Sequence, residues 1–147
     1  MVNRMPRNKY IKVKKGPLGL GAVFGLIDKN FIMRCPYCRK LILDKDATFD
    51  FMYEQLTETA LNPNCLWIGN QTARLLFFHC IYCKQKVYLL IIVTKHGLMM
   101  NGELFVNFEG EYMLLTSDEV KTALRRSNIE LDDLEIDEVD IKQFINS

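Results

Sequence analysis

Cys35-Pro36-Tyr37-Cys38 and Cys80-Ile81-Tyr82-Cys83 are the two stretches that decide how this chain is read. A Cys-x-x-Cys turn aims both sulfurs at a common point about 2.3 Å away, and two such turns complete the tetrahedron that zinc prefers. Cys35, Cys38, Cys80 and Cys83 are therefore the expected ligands of one Zn2+ per chain. A thioredoxin-like redox pair needs a single motif at a strand end that opens a helix. Here there are two, each followed by strand-like sequence, Leu41-Ile42-Leu43 after the first and residues 87–93 after the second. A disulfide framework suits a secreted protein, but no secretory signal is read ahead of the body, and five cysteines leave one unpaired. An intracellular, reducing compartment, cytoplasmic or nucleoid/nuclear, fits the thiols better. Iron–sulfur clusters also take four cysteines, but their commoner spacings bring three close together, so iron ranks below zinc.

The flanking residues extend the pattern. Phe31-Ile32-Met33-Arg34 precedes the first pair, Leu76-Phe77-Phe78-His79 precedes the second, and Lys84-Gln85-Lys86-Val87 follows it. On these residues the chain resembles the zinc ribbons, in which two Cys-x-x-Cys knuckles, each carried by a β-hairpin, share one ion. The resemblance spans roughly half of the chain and points to no particular family. It implies a structural metal and, often, a surface that binds nucleic acid or protein. One departure is the long insert at 39–79, which must have a structure of its own.

With 147 residues, 49% hydrophobic and 25% charged, the chain is long enough to bury a core that metal alone need not sustain. The expected organisation is a basic arm at 1–15 and one zinc-ribbon-containing domain at 16–147. Within that domain the ribbon core covers about 31–93, and C-terminal strands and helices cover 98–147. The formal net charge is +1, but it is unevenly spread. Residues 1–45 carry eleven Lys/Arg against Asp28 and Asp44, while residues 103–147 carry twelve Asp/Glu against four Lys/Arg. The arm, with Arg4, Arg7, Lys9, Lys12, Lys14 and Lys15, is suited to following a phosphate backbone. A solvated terminus, or an arm docked on the chain's own acidic end, are the alternatives. The glycine-rich apolar run at 16–27 is too short to span a bilayer, and no Gly-Lys-Ser/Thr follows its glycines to make a phosphate loop.

The fold class expected is α+β: an antiparallel sheet built on the ribbon, with a helical insert and C-terminal helices. Phe49, Met52, Tyr53, Leu56 and Ala60 recur at helical spacing and predict a helix over 48–61, ended by Asn62-Pro63-Asn64. Residues 74–79 and 87–93 are unbroken apolar runs, as in strands covered on both faces. Asn101-Gly102 supplies a tight hairpin turn, and Glu109-Gly110 turns the chain into a strand over 112–115. Thr116-Ser117-Asp118-Glu119 is a capping box opening a helix to about Ser127. A further short helix is drawn over 139–145, with Asp137 and Glu138 at its start. The acidic approach to it, 132–140, is a solvated face, a protein-docking segment or an occupant of the chain's own basic groove.

The remaining candidates are weaker. Cys65 lacks a two-residue partner and reads as a buried thiol, and Trp67 as a core cap. His79 alternates away from Cys80 on a strand, and His96 sits in a turn. No catalytic constellation is visible, so a non-enzymatic role is expected. The leading function is nucleic-acid binding, as a transcriptional or related regulator. Arg34, Arg39, Lys40, Lys84 and Lys86 around the knuckles would join the arm at phosphates, without means to specify a base. The alternative is a protein-interaction adaptor or assembly subunit that uses the acidic C-terminal segment, with a purely structural zinc.

Overall fold

The computed structural model describes residues 31–61, 66–68, 71–94, 97–101, 103–105 and 110–145. The basic arm, the glycine-rich run, Asn62-Pro63-Asn64, Cys65, His96 and Gly102 lie outside the described residues.

Each Cys-x-x-Cys joins two antiparallel strands. The first lies between β1 (Phe31–Arg34) and β2 (Leu41–Leu43), which pair Met33 with Leu43. The second lies between β4 (Gln71–His79) and β5 (Lys86–Thr94), paired from Thr72–Val93 to His79–Lys86. This is the central hairpin that the apolar runs predict. Between the two hairpins stands α1 (Lys45–Leu61). It begins three residues before the expected start because Asp44 caps it: the Ala47 N–H donates to Asp44 Oδ1 at 2.8 Å, satisfying an early orphan donor.

Helix α1 is buried well beyond its predicted stripe. Phe49, Met52 and Leu56 are buried as expected, and so are Ala47, Phe51, Gln55 and Thr59. The reason is that α1 packs against β1, β2, β4, β5 and the C-terminal turn together. Its side chains join Leu76, Phe78, Val87, Leu89 and Ile91 in one core. The opposite face of the β4–β5 hairpin, Ala73, Leu75, Leu90 and Ile92, is covered by α2 (Ser117–Arg126) through Val120, Ala123 and Leu124. Helix α2 opens with the predicted capping box: the Glu119 N–H donates to Thr116 Oγ1 and the Thr116 N–H to Glu119 Oε1.

The sheet differs from the all-antiparallel expectation. Among the described residues there are two sheets, β2-β1-β8 and β3-β4-β5-β6-β7, and both are mixed. Strand β3 (Leu66–Ile68) pairs with the start of β4. Strands β6 (Gly97–Met100) and β7 (Glu103–Phe105) form the hairpin at Asn101, whose φ of 54° supplies the left-handed turn. Strand β8 (Gly110–Met113), however, runs parallel to β1, and β9 (Ile136–Glu138) runs parallel to β4. Parallel partners are joined by long crossovers, so local pattern does not reveal them.

Two consequences matter for the site. The chain at 110–115 borders both hairpins. β8 lies along β1, Leu114 donates to the Arg34 carbonyl at 3.1 Å, and Leu115 exchanges two 2.9 Å backbone hydrogen bonds with Tyr88 of β5. The knuckles are thus set side by side by backbone pairing and not by a metal alone. Second, the acidic C-terminal segment is built into the sheet. Its alternation of acidic and apolar residues has the period of a strand, and Asp137 and Glu138 lie in β9 where the sequence places a helix start. Asp137 Oδ2 accepts from Arg74 Nε at 2.9 Å, and Arg74 Nη1 also donates to Gln55 of α1. Beyond β9 the expected helix is a single 3-10 turn, Ile141–Phe144, capped by Asp140, that buries Ile141 and Phe144 in the α1 core. No helix among the described residues is long and apolar enough to cross a membrane.

Candidate metal centre

The two knuckles have the same backbone. In the first, the Cys35 N–H donates to the Lys40 carbonyl at 3.1 Å and the Arg39 N–H to the Cys35 carbonyl at 2.9 Å. In the second, Cys80 donates to Gln85 at 3.0 Å and Lys84 to Cys80 at 2.9 Å. The Tyr37 and Tyr82 N–H groups donate to Cys35 Sγ and Cys80 Sγ, each at 3.4 Å. To return so sharply, both turns pass through the left-handed region, at Arg39 (φ 63°) and Lys84 (φ 66°). A residue with a Cβ costs about 1 kcal/mol there relative to glycine. Both turns therefore carry a long cation at a position that backbone conformation alone would give to glycine.

These turns bring the four sulfurs together. All lie within 4.8 Å of one another, with Cys35 Sγ 3.6 Å from Cys83 Sγ and Cys38 Sγ 3.7 Å from Cys80 Sγ. The four are free thiols, Cys35 and Cys80 fully buried and Cys38 and Cys83 partly so. Such a cluster offers one soft ligand atom from each residue and can hold one metal ion.

Comparison with protein-family models, curated proteins and solved structures finds no match.

The thiols differ electrostatically. Burial pushes Cys35 up from the ordinary 9.0 to about 12, against the pull of backbone N–H groups, and burial raises Cys80 as well. Cys38 is lowered, chiefly by the backbone N–H of Lys40. At neutral pH the metal-free fold thus holds protons on its buried sulfurs, and an entering ion must expel them. Metal affinity should rise with pH, about tenfold per unit for each proton released below the thiol range. Titration calorimetry near pH 7 in buffers of different ionisation enthalpy should detect release of the protons held by Cys35 and Cys80. Release of none would contradict thiolate ligation. For the metal-free fold the sign is the opposite: the raised Cys35 and Cys80 thiols contribute stability that is fully present below the ordinary thiol value of 9.0 and is lost as pH climbs above it, where the unfolded chain ionises first.

Around the knuckles, the structure gathers four of the five knuckle cations that the sequence singles out, Arg34, Arg39, Lys40 and Lys84. Arg34 donates to the Arg39 carbonyl at 2.9 Å, and Lys84 Nζ donates to the Ile81 carbonyl at 2.9 Å. Lys40 of the first knuckle reaches the second, its Nζ lying 4.9 Å from the centre of the Tyr82 ring. Lys86 is directed elsewhere, 4.6 Å over Phe77 on the sheet. The arm cations lie outside the described residues. His79 is half exposed and pairs with Glu138 at 3.8 Å rather than joining the sulfurs. Sequence reasoning passed over Tyr37 and Tyr82, which are 42% and 51% exposed at the knuckle tips. The signal was available: both occupy the third position of their Cys-x-x-Cys.

Proposed function

We propose that this chain is a non-enzymatic zinc-ribbon protein in which Cys35, Cys38, Cys80 and Cys83 hold one structural zinc ion and the surface around the knuckles binds nucleic acid. The observation that carries the reading is the mutual approach of four free thiols from two matching turns, with cross-knuckle separations of 3.6 and 3.7 Å. A tetrahedron with Zn–S bonds of 2.3 Å has edges of about 3.8 Å, which the two cross-knuckle separations match. Four thiolates close the coordination shell and leave no position for substrate, which favours a structural over a catalytic ion. Free thiols and a thiolate metal both suit a reducing, intracellular compartment.

The nucleic-acid half rests on charge. The stretches 34–40 and 80–86 contain Arg34, Arg39, Lys40, Lys84 and Lys86 and no acid. A zinc–tetrathiolate centre carries two negative charges, so the surface stays positive when metal is bound. The arm at 1–15 would add phosphate contacts. In the acidic segment, Asp137 pairs with Arg74 and β9 pairs with β4.

The test uses the full, metal-loaded chain. Metal analysis should return one zinc per chain, and fluorescence anisotropy with a labelled oligonucleotide should show affinity falling steeply with salt, with a log–log slope of about 0.7 to 0.9 per phosphate contact. Replacing Arg39, Lys40, Lys84 and Lys86 with Gln should flatten that slope. Salt-independent binding, or a slope unchanged in the variant, overturns the interface; iron in place of zinc overturns the metal assignment.

A further inference from the structure

Cations explain attraction to phosphates but not the two tyrosines. Tyr37 and Tyr82 stand at the same place in two independent turns, and both are exposed and lie outside the two buried clusters. Each is carried by a turn locked at both ends by backbone hydrogen bonds and tied to a cysteine through its own N–H. The rings are thus presented by hydrogen-bonded turns. The knuckles adjoin, since their sulfurs interdigitate and Lys40 of one lies over the Tyr82 ring of the other. Tyr82 also borders an open groove of about 330 Å³ whose walls include Leu41 and Ile81. The acid on that wall, Asp44, is already bound to the first turn of α1.

We infer that the knuckle tips form a stacking platform for single-stranded nucleic acid, in which Tyr37 and Tyr82 each take the face of an unpaired base while Arg39, Lys40 and Lys84 meet the flanking phosphates. This deepens the proposed function and rests on it. A duplex buries its base faces against one another and offers them only at its ends, whereas an unpaired strand can splay bases onto exposed rings. Stacking tolerates any base, which suits a surface with cations and rings but no array of donors and acceptors to read base edges. The left-handed cations Arg39 and Lys84 each follow the second cysteine of their knuckle by one residue, and so lie two residues along the chain from the tyrosines.

The test compares a labelled oligothymidylate strand with a mixed-sequence duplex of equal length, each titrated with full-length zinc-loaded protein. The strand should bind roughly tenfold tighter. Tyr37→Leu with Tyr82→Leu should weaken strand binding by about tenfold or more and leave duplex binding unmoved, while the paired Phe replacements, which keep the rings, should retain it. Zinc content and melting temperature of the variants should match the parent. In the unaltered protein, a strand carrying 5-iodouracil should crosslink on irradiation at Tyr37 or Tyr82. Equal strand and duplex affinity, unaffected Leu variants, or crosslinks confined to other residues overturn the platform while leaving salt-dependent binding in place. Absence of salt-dependent binding to either oligonucleotide overturns both readings.

Discussion

Cys83→Ser protein should be purified without metal and should melt roughly 15–30 °C below the parent. Zinc in a closed thiolate site supplies a binding free energy on the order of 10 kcal/mol, and a hydroxyl in place of one thiolate forfeits most of it. For a chain of this size each kcal/mol moves the melting temperature by a few degrees. Stripping the parent with a chelator should lower the transition to the same level, and the chelator should have no further effect on the variant. Cys35→Ser should be more severe, because Cys35 is fully buried and the new hydroxyl would be placed in the α1 core without water. Equal melting temperatures for parent and Cys83→Ser protein would sink the metal centre. The secondary structure should survive in either variant, because the chain at 110–115 pairs with both β1 and β5 through the backbone.

The second large effect is expected at Phe51. Its side chain is wholly buried and meets two other rings edge-on, Phe78 of β4 at 5.8 Å and Phe144 of the C-terminal turn at 5.3 Å. It therefore joins the helical insert, the central hairpin and the end of the chain in one contact. Phe51→Ala should cost about 3–5 kcal/mol from lost burial and the cavity left behind, plus part of the about 1 kcal/mol that each edge-to-face pair contributes. A denaturant midpoint displaced by that amount, with one metal ion per chain retained, is the expected result. A loss below about 1 kcal/mol would show that α1 does not pack as described. Retention of metal separates this variant from the cysteine replacements, because all four candidate ligand thiols are kept.

What could be read in the sequence was whatever short-range chemistry fixes. Cys35-x-x-Cys38 and Cys80-x-x-Cys83 each build their own turn, and the thiol character of all four side chains announces the cluster. The apolar runs at 74–79 and 87–93 became β4 and β5 because a strand covered by α1 on one face and α2 on the other has no polar side to show. Asn101 and the Thr116–Glu119 box acted where expected because their hydrogen bonds and dihedral angles are local. The parallel placements of β8 on β1 and β9 on β4 were hidden, since they join segments far apart in the chain and depend on which edges remain open once the hairpins form. The start of α1 was misplaced for a smaller reason: Asp44 is a standard cap residue, but the apolar stripe begins only at Phe49, and the stripe was given the greater weight. The acidic segment looked like free tail because its charges dominate its composition. Its period of two was the better guide, and Arg74, a lone cation in an apolar strand, was the partner waiting for Asp137.

The strand that joins the hairpins also imposes an order on biosynthesis. All four thiols have left the ribosome's catalytic centre once Cys83 is made, but the chain that aligns them, ending at Leu115, follows only later, after some two to six seconds at 5–20 residues per second. During that interval the nascent chain carries two separate dithiols instead of one tetrathiol. Each is open to oxidation by itself, so assembly of the four-thiol cluster requires these sulfurs to stay reduced until translation has passed Leu115.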